Sequence, residues 1–207
     1  MPRPQCPRCA RPASHCLCPL IPALDSRVRV LILQHPSEAS HALNTARLAA
    51  LGLSNAELRV GETFEATLFP PGSYLLFPGD QATPVESLRG AGRIEQLVIP
   101  DGTWRKARKL LHLNPYLAGL PRVALPAGLV SRYRVRKAPM PGALSTLEAI
   151  VTALNTLENT QRFDALLRPF EALIEGQIQA MGKEVFRRNH AGGRDSINAR
   201  AVPRSEP

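Results

Sequence analysis

The stretch RIEQLVIPDGTWRKARKLL, residues 93–111, joins a strand pattern to a helix pattern through a three-residue turn. Residues 93–100 end in a continuous apolar run, which is typical of a buried strand. Asp101-Gly102-Thr103 has the residue types of a capping turn, and the residues after it predict a helix to about Leu113. A strand that passes through a tight turn into a helix is the basic unit of a parallel α/β fold.

The helix predicted after Asp101 carries unusual charges in its first half. Arg105, Lys106, Arg108 and Lys109 lie close to the positive end of the helix dipole, where cations are disfavoured. A step of 100° per residue gathers the apolar residues on the opposite side, in a stripe that comprises Trp104, Ala107, Leu110 and Leu111. The stripe predicts that Trp104 packs into the core, with stacking on a substrate as the alternative.

The positive charge of the chain is concentrated in its middle. The 207 residues include 26 Lys and Arg and 17 Asp and Glu, a net charge of +9. No acid occurs between Asp101 and Glu148, whereas nine bases do, which leaves 17 bases and 17 acids elsewhere. These bases are Arg105, Lys106, Arg108, Lys109, Arg122, Arg132, Arg134, Arg136 and Lys137. Charge focused in this way favours a polyanion such as nucleic acid, and a solvated basic face is the alternative.

Part of this charge lies in SRYRVRK, residues 131–137, which we interpret as a short strand. On a strand, Arg132, Arg134 and Arg136 would share one face and repel one another. A polyphosphate would relieve that repulsion. The alternatives are an edge strand protected by charge, or a small anionic ligand bound by one arginine.

All four cysteines lie within the first 18 residues, in the pattern CxxC followed by CxC. In a reducing compartment, cysteines clustered in this way are more often metal ligands than disulfides. Cys6, Cys9, Cys16 and Cys18 therefore predict a structural zinc site with four thiolate ligands, the alternative being free thiols in a disordered tail. His15 could replace one cysteine as a ligand.

Strand patterns alternate with helix patterns along the rest of the chain. The strands are 27–34, 73–77, 93–100 and 121–125; the helices are 41–52, 145–159 and 163–186, the last bent or split near Pro169. We expect a zinc knuckle over 1–24, a mostly parallel α/β domain over 25–186 and a disordered basic tail over 187–207. No dinucleotide or P-loop motif is present. Without a signal peptide or a membrane-spanning run, the chain is expected to be cytoplasmic and not bound to a membrane.

The sequence resembles the DTW-domain family. The matching residues are HPSE (35–38), NTA (44–46), FPG (77–79), DGTW (101–104), YRVRK (133–137) and STLEA (145–149), preceded by the cysteine pattern. Their order and spacing together are specific, and the resemblance covers roughly residues 6 to 186.

The resemblance implies a tRNA-uridine aminocarboxypropyltransferase. Such an enzyme moves the 3-amino-3-carboxypropyl group of S-adenosylmethionine to ring nitrogen 3 of a uridine in tRNA and releases methylthioadenosine. The resemblance also implies similarity to knotted S-adenosylmethionine-dependent RNA methyltransferases with SPOUT-like folds. An RNA methyltransferase and a non-enzymatic, zinc-containing RNA-binding protein are the alternative functions. The sequence leaves the oligomeric state open.

The residues that name the family correspond here to Asp101, Thr103 and Trp104, which become the catalytic candidates. Three roles stay open for Asp101: general base toward the uridine imide, substrate-positioning group, and cap of the following helix.

The cofactor is expected at the strand ends and at the start of the helix near residue 145, where free amides favour a carboxylate. The predicted contacts are Phe77, Pro78, Gly79, Ile99, Pro100, Asp101, Gly102, Thr103, Leu125, Ser145 and Thr146. The predicted tRNA-binding residues are Arg105, Lys106, Arg108, Lys109, Arg132, Arg134, Arg136 and Lys137, extended by Arg3, Arg8 and Arg11.

Overall fold

One parallel sheet organises the protein, whose computed structural model describes residues 4–90, 92–135 and 142–190. Its strands are β1 (Arg29–Gln34), β2 (Ala56–Val60), β3 (Ser73–Leu76), β4 (Thr83–Pro84), β5 (Gln96–Asp101) and β6 (Arg122–Ala124). They lie in the order β2-β1-β5-β3-β6-β4, and each neighbouring pair is parallel. The predicted parallel α/β fold is confirmed.

Helices cover both faces of this sheet. They are α1 (Thr45–Gly52), α2 (Trp104–Leu113), α3 (Pro115–Ala118), α4 (Thr146–Glu158), α5 (Leu167–Met181) and α6 (Lys183–His190). On one face, called the α4 face, Val30, Ile32, Leu97 and Ile99 share a core with α1, α4 and α5. On the other, the α2 face, Leu31, Leu33 and Val98 pack with α2 and α3. Burial on both faces explains why the strands are almost continuously apolar.

Alternation along the strands decides which residues reach the α4 face at the carboxyl ends. Gln34 follows Val30 and Ile32, and Asp101 follows Leu97 and Ile99, each at a spacing of two. Gln34 and Asp101 are also paired across the ladder between β1 and β5. Two polar side chains therefore end neighbouring strands on the same face.

The central strand β5 contains Pro100, which has no backbone N–H to donate. The ladder between β5 and β3 stops at the pair Leu75 and Val98, and alternation turns the Pro100 peptide toward the β3 side. A proline is tolerated there because no ladder bond is lost. The pairing of these two strands therefore ends three residues before the end of β5.

The structure departs from the local predictions in three places. The strand predicted over 131–137 is not formed over 131–135, because the peptide of Arg132 donates to the Glu148 side chain instead of to a ladder; residues 136 and 137 lie outside the described residues. The helix predicted over 163–186 is split near Pro169, where the 3-10 turn Arg162–Leu166 passes into α5, and it is broken again at Gly182, whose φ is 86°. Pro169 itself lies in the first turn of α5, where its missing N–H costs nothing. The edge strand β2 had not been predicted, since its sequence AELRV lacks an apolar run.

The two ends of the chain attach to the main domain within the described residues. Leu17 is buried in the core of the α4 face, and Leu24 forms a parallel bridge with Leu53. Helix α6 continues to His190, four residues into the segment predicted to be a tail. No helix among the described residues is both long and apolar enough to cross a bilayer.

Candidate functional site

The carboxyl edge of the sheet brings the predicted loops together. β1, β5, β3 and β6 are consecutive neighbours in space, so the residues that follow them border one edge. These residues are His35 after β1, Gly102 and Thr103 after β5, Phe77 to Gly79 after β3, and Leu125 after β6. Helix α4 begins at the same edge, since its first residue, Thr146, contacts Asp101.

Asp101 is the centre of this edge. Its side chain is mostly buried, and the residue is 8% exposed. Gln34 Nε2 donates to Asp101 Oδ2 at 2.7 Å, and Thr146 Oγ1 donates to Asp101 Oδ1. Donors from β1 and α4 therefore fix the orientation of a carboxylate that ends β5.

The donor from β1 is itself held by a second amide. Gln34 is fully buried, and its side chain exchanges two hydrogen bonds with the Asn44 amide, at 3.1 and 3.3 Å. Asn44 caps α1 by accepting from the Arg47 N–H at 3.0 Å. The start of α1, the end of β1 and the end of β5 are thus joined in one polar network.

Asp101 does not cap α2, so that possible role is wrong. The cap is Thr103, whose hydroxyl accepts from the Lys106 N–H at 3.4 Å. Gly102, between them, has a φ of 153°, a value that a side chain would strain. The turn lets Asp101 face α4 while Thr103 starts a helix on the other side of the sheet.

Trp104 lies on the α2 face, where packing was expected. Its ring centroid is 5.4 Å from that of Phe77, with the planes tilted by 59°. Ala107, Leu110 and Leu111 of the same stripe are buried. Trp104 itself is only half-buried, so the aromatic pair borders the carboxyl edge.

At the N-terminus of α4, the polar groups of Ser145 bind the carboxylate of Glu148, a residue of the same helix. Ser145 and Glu148 form a capping box, in which Glu148 Oε2 accepts from the Ser145 N–H at 2.9 Å and from its hydroxyl at 2.7 Å. The same carboxylate accepts from Ser131 Oγ at 2.8 Å and from the Arg132 N–H at 2.6 Å. Buried Glu148 therefore anchors the segment 131–135 to α4, and the polar groups of Ser145 are already engaged.

Ile99 and Pro100 are buried within β5, and Leu125 is half-buried against the core. Pro78 and Gly79 are exposed. The predicted cofactor residues thus divide into exposed turn residues, one buried polar centre and supporting core residues.

Four of the predicted RNA-binding cations that the structure describes are paired with acids. Lys106 Nζ is 2.6 Å from Glu38 Oε1, and Lys109 Nζ is 2.8 Å from Glu62 Oε1. Arg132 and Arg134 form ion pairs with Glu171 and Glu175 on α5. Arg105 and Arg108 are exposed and make no ion pair with a described residue. The positions of Arg3, Arg136 and Lys137 lie outside the described residues.

The ion pair between Lys109 and Glu62 also involves the loop after β1. Glu62 also receives His35 Nε2 at 2.8 Å, while His35 Nδ1 accepts from the Ser37 N–H at 3.3 Å. The hydrogen bond from Lys109 lowers the pKa of Glu62 most, and the charge of Lys109 and the hydrogen bond from His35 lower it further. A carboxylate on the β2 side thus ties α2 to the HPSE segment.

The four cysteines converge as the spacing predicted. The Sγ atoms of Cys6 and Cys18 are 3.6 Å apart, those of Cys9 and Cys16 are 3.9 Å apart, and all four lie within 4.8 Å. Zn–S bonds of about 2.3 Å in a tetrahedron place ligand sulfurs about 3.8 Å apart, so the arrangement fits zinc. Backbone N–H groups of Cys9 and Arg8 lower the pKa of Cys6 to about 6, whereas burial and the neighbouring thiols raise the pKa of Cys18 to about 12. His15 is not part of the cluster.

Sequence reasoning gave no individual role to Gln34, Asn44 or Glu148. A polar residue that ends an apolar strand was the one available signal for Gln34. Its partners are 10 and 67 residues away along the chain, so no local pattern could identify them.

The fold and the site define a parallel α/β protein with an oriented, mostly buried carboxylate at the carboxyl edge of its sheet and, near its N-terminus, a cluster of four cysteines that could hold a metal ion. The model of the DTW domain family matches residues 3–178. The chain belongs to this family.

Curated relatives cover most of the chain. It is 34% identical to tRNA-uridine aminocarboxypropyltransferase 2 of Macaca fascicularis, over 86% of this chain and 64% of the relative. The proteins of the same name from Mus musculus and Drosophila melanogaster are 33% and 32% identical, over 90% and 91% of this chain and 70% and 82% of their own lengths. The chain thus spans just under two thirds of the macaque relative. No solved structure gives a significant match, so the similarity to knotted SPOUT-like folds stays a prediction.

Proposed function

We propose that this protein transfers the 3-amino-3-carboxypropyl group of S-adenosylmethionine to N3 of a uridine in tRNA and releases methylthioadenosine. Family membership and the names of the relatives support the reaction class. The structural observation that carries the proposal is Asp101, the family's aspartate, whose carboxylate is oriented by Gln34 and Thr146 at the carboxyl edge.

The chemistry requires a group that handles the uridine imide. S-adenosylmethionine supplies an electrophilic carbon bonded to a sulfonium. Uridine N3 must lose its proton and form a bond to that carbon, while the bond from carbon to sulfur breaks and its electron pair stays on sulfur. Asp101 either accepts the imide proton or orients the base through a hydrogen bond.

The other parts of the site follow from this role. The turns Phe77–Gly79 and Asp101–Thr103, with Leu125 and Thr146, border the edge where S-adenosylmethionine would bind. The basic residues of α2 and of the segment 131–135 flank that edge and would take up tRNA phosphates. The cysteine cluster would hold a structural Zn²⁺. We also infer a cytoplasmic location, where tRNA is found and thiolates stay reduced.

Mass spectrometry of an unmodified tRNA transcript, incubated with the protein and S-adenosylmethionine, tests the proposal. We expect a uridine that gains one aminocarboxypropyl group and the release of methylthioadenosine. Asp101→Asn should abolish this gain, whereas Asp25→Asn, an exposed aspartate outside the site, should not. A gain of a methyl group with adenosylhomocysteine would indicate a methyltransferase instead. Tight tRNA binding without any modification would indicate a binding protein.

A further inference from the structure

Arg122, the first residue of β6, has no acidic partner among the described residues, and its guanidinium lies beside the turn that follows β3. Arg105 and Arg108 also have no acidic partner among these residues, but they are exposed. Lys106, Lys109, Arg132 and Arg134 each pair with a carboxylate. Arg122 is half-buried, yet it makes no hydrogen bond or ion pair with any residue that the structure describes. A partly desolvated guanidinium without a counter-charge is costly, so such a group usually has an anionic partner.

The guanidinium of Arg122 is held over the turn that follows β3. Its Cζ lies 5.9 Å from the centroid of the Phe77 ring, and that ring packs on Trp104. A Cβ built on Gly79 would lie only 2.7 Å from Arg122 Nη1. Phe77 therefore supports the guanidinium on one side, and Gly79 leaves the space beside its nitrogens without a side chain.

The N-terminus of α4 was also expected to bind an anion at this edge, but it already binds the carboxylate of Glu148. The carboxylate of Glu148 lies at the start of α4, where it accepts from the Ser145 N–H and hydroxyl. A second carboxylate brought to this helix start would be repelled by Glu148. The electrostatics of the edge therefore favour Arg122 over α4 as the partner of a ligand anion.

We propose that Arg122 is the oxyanion-binding residue of this site, with its guanidinium donating two parallel hydrogen bonds to a carboxylate or phosphate of the substrates. The planar fork of arginine matches both groups. The inference rests on the proposed function, which supplies two sources of such an oxyanion: the carboxylate of the S-adenosylmethionine arm and a phosphate of tRNA.

Equilibrium binding to the full-length protein, without turnover, distinguishes the two sources. The ligands are S-adenosylmethionine and decarboxylated S-adenosylmethionine, and the variants are Arg122→Gln, Arg122→Lys and, as a control, the exposed Arg89→Gln. If Arg122 binds the carboxylate, Arg122→Gln weakens S-adenosylmethionine by about tenfold or more and leaves the decarboxylated ligand unchanged. Arg122→Lys should recover only part of the loss, because an ammonium cannot bind in the bidentate mode.

The second set of measurements follows tRNA binding against salt concentration. If Arg122 binds a phosphate, Arg122→Gln lowers the slope of log affinity against log salt by about 1 and leaves S-adenosylmethionine binding unchanged. Wild-type affinities for both ligands in a folded Arg122→Gln protein would overturn the proposal. If Arg122→Gln does not fold, wild-type affinities and salt slope in Arg122→Lys would overturn it as well. Group transfer by the wild-type protein is measured separately by mass spectrometry. Its absence would contradict the proposed function, but it would not contradict the role of Arg122 in binding.

Discussion

At the scale of single residues, the direction of the Asp101 side chain decides what the site can do. Its carboxylate faces α4 and receives one donor from Thr146 and one from Gln34. Because these donors come from different elements, the carboxylate is oriented before any ligand binds. Such preorganisation favours catalysis, since no reorientation is needed during the reaction.

Replacement of Thr146 by Val tests this orientation, since it removes the hydroxyl donor and keeps the shape. We expect the free energy of unfolding to fall by about 1 kcal/mol, the usual contribution of one hydrogen bond. We also expect kcat to fall more than KM rises, because Asp101 loses its orientation while the binding surface remains. Urea denaturation and steady-state kinetics measure the two effects.

Thr146→Ser is the matched control, because it restores the hydroxyl. It should recover most of the lost kcat. Wild-type kcat in a folded Thr146→Val protein would show that the hydrogen bond to Asp101 has no part in turnover.

The second donor to Asp101 is the Gln34 side chain, and replacing it by Met removes that donor. Gln34→Met should lower the free energy of unfolding by about 1–3 kcal/mol, because a buried Asp101 oxygen and the Asn44 amide both lose a partner. Exposed Gln81→Met provides the comparison and should change stability little. Equal stability of the two variants in urea denaturation would contradict the network.

At the scale of elements, the first turn of α4 couples the helix to the segment 131–135. Glu148 accepts from Ser131, from the Arg132 N–H and from Ser145, and is almost fully buried. Loss of its charge would therefore release a loop as well as a helix cap.

Glu148→Gln should lower the free energy of unfolding by about 1–3 kcal/mol, because the new amide group points a donor at other donors. Amide hydrogen exchange at Arg132 should become faster. The exposed glutamate Glu184 on α6 offers the control, and Glu184→Gln should change neither quantity. Unchanged exchange at Arg132 in Glu148→Gln would refute the anchoring role.

Helix α2 presents two kinds of cation, and tRNA binding should distinguish them. The double variant Arg105→Ala and Arg108→Ala should lower the salt slope of tRNA affinity by about 2, since each arginine is available to a phosphate. Lys106→Ala with Lys109→Ala should lower it less, because these lysines already pair with Glu38 and Glu62. Equal slopes for the two double variants would mean that the ion pairs open fully on RNA.

At the scale of the whole molecule, the cysteine segment packs on the α/β domain. Leu17 is buried in the α4-face core, and Arg11 Nη1 donates to the Ala42 carbonyl at 2.8 Å. Ala42 lies two residues before Asn44, which donates a hydrogen bond to Gln34. The cysteine cluster is therefore connected to the carboxyl edge through the loop before α1.

Loss of the metal ion that we predict at the cysteine cluster should lower the stability of the whole protein. We expect one zinc per chain by elemental analysis, its loss in Cys9→Ser, and a lower melting temperature in the variant. His15→Ala should keep its zinc, because His15 lies outside the four-sulfur cluster. A full zinc content in Cys9→Ser, or a loss of zinc in His15→Ala, would contradict the ligand set.

Local sequence patterns were sufficient to predict several elements. The apolar run of β5, the stripe of α2 and the cysteine spacing each lie within one short segment of the chain, and each was predicted. Hydrophobic periodicity states which side of an element is buried, and capping residues state where it starts. These signals are local, so they survive without knowledge of the fold.

The contacts between polar groups, in contrast, depend on the tertiary structure. Gln34 donates to Asp101, which is 67 residues away along the chain. Arg132 donates to Glu171 of α5, which is 39 residues away. The register of β1 against β5 and the packing of α4 on the sheet determine these distances. The residues around a polar side chain do not identify its distant partner. Hydrogen bonds and ion pairs depend on spatial position rather than on the periodicity of the sequence.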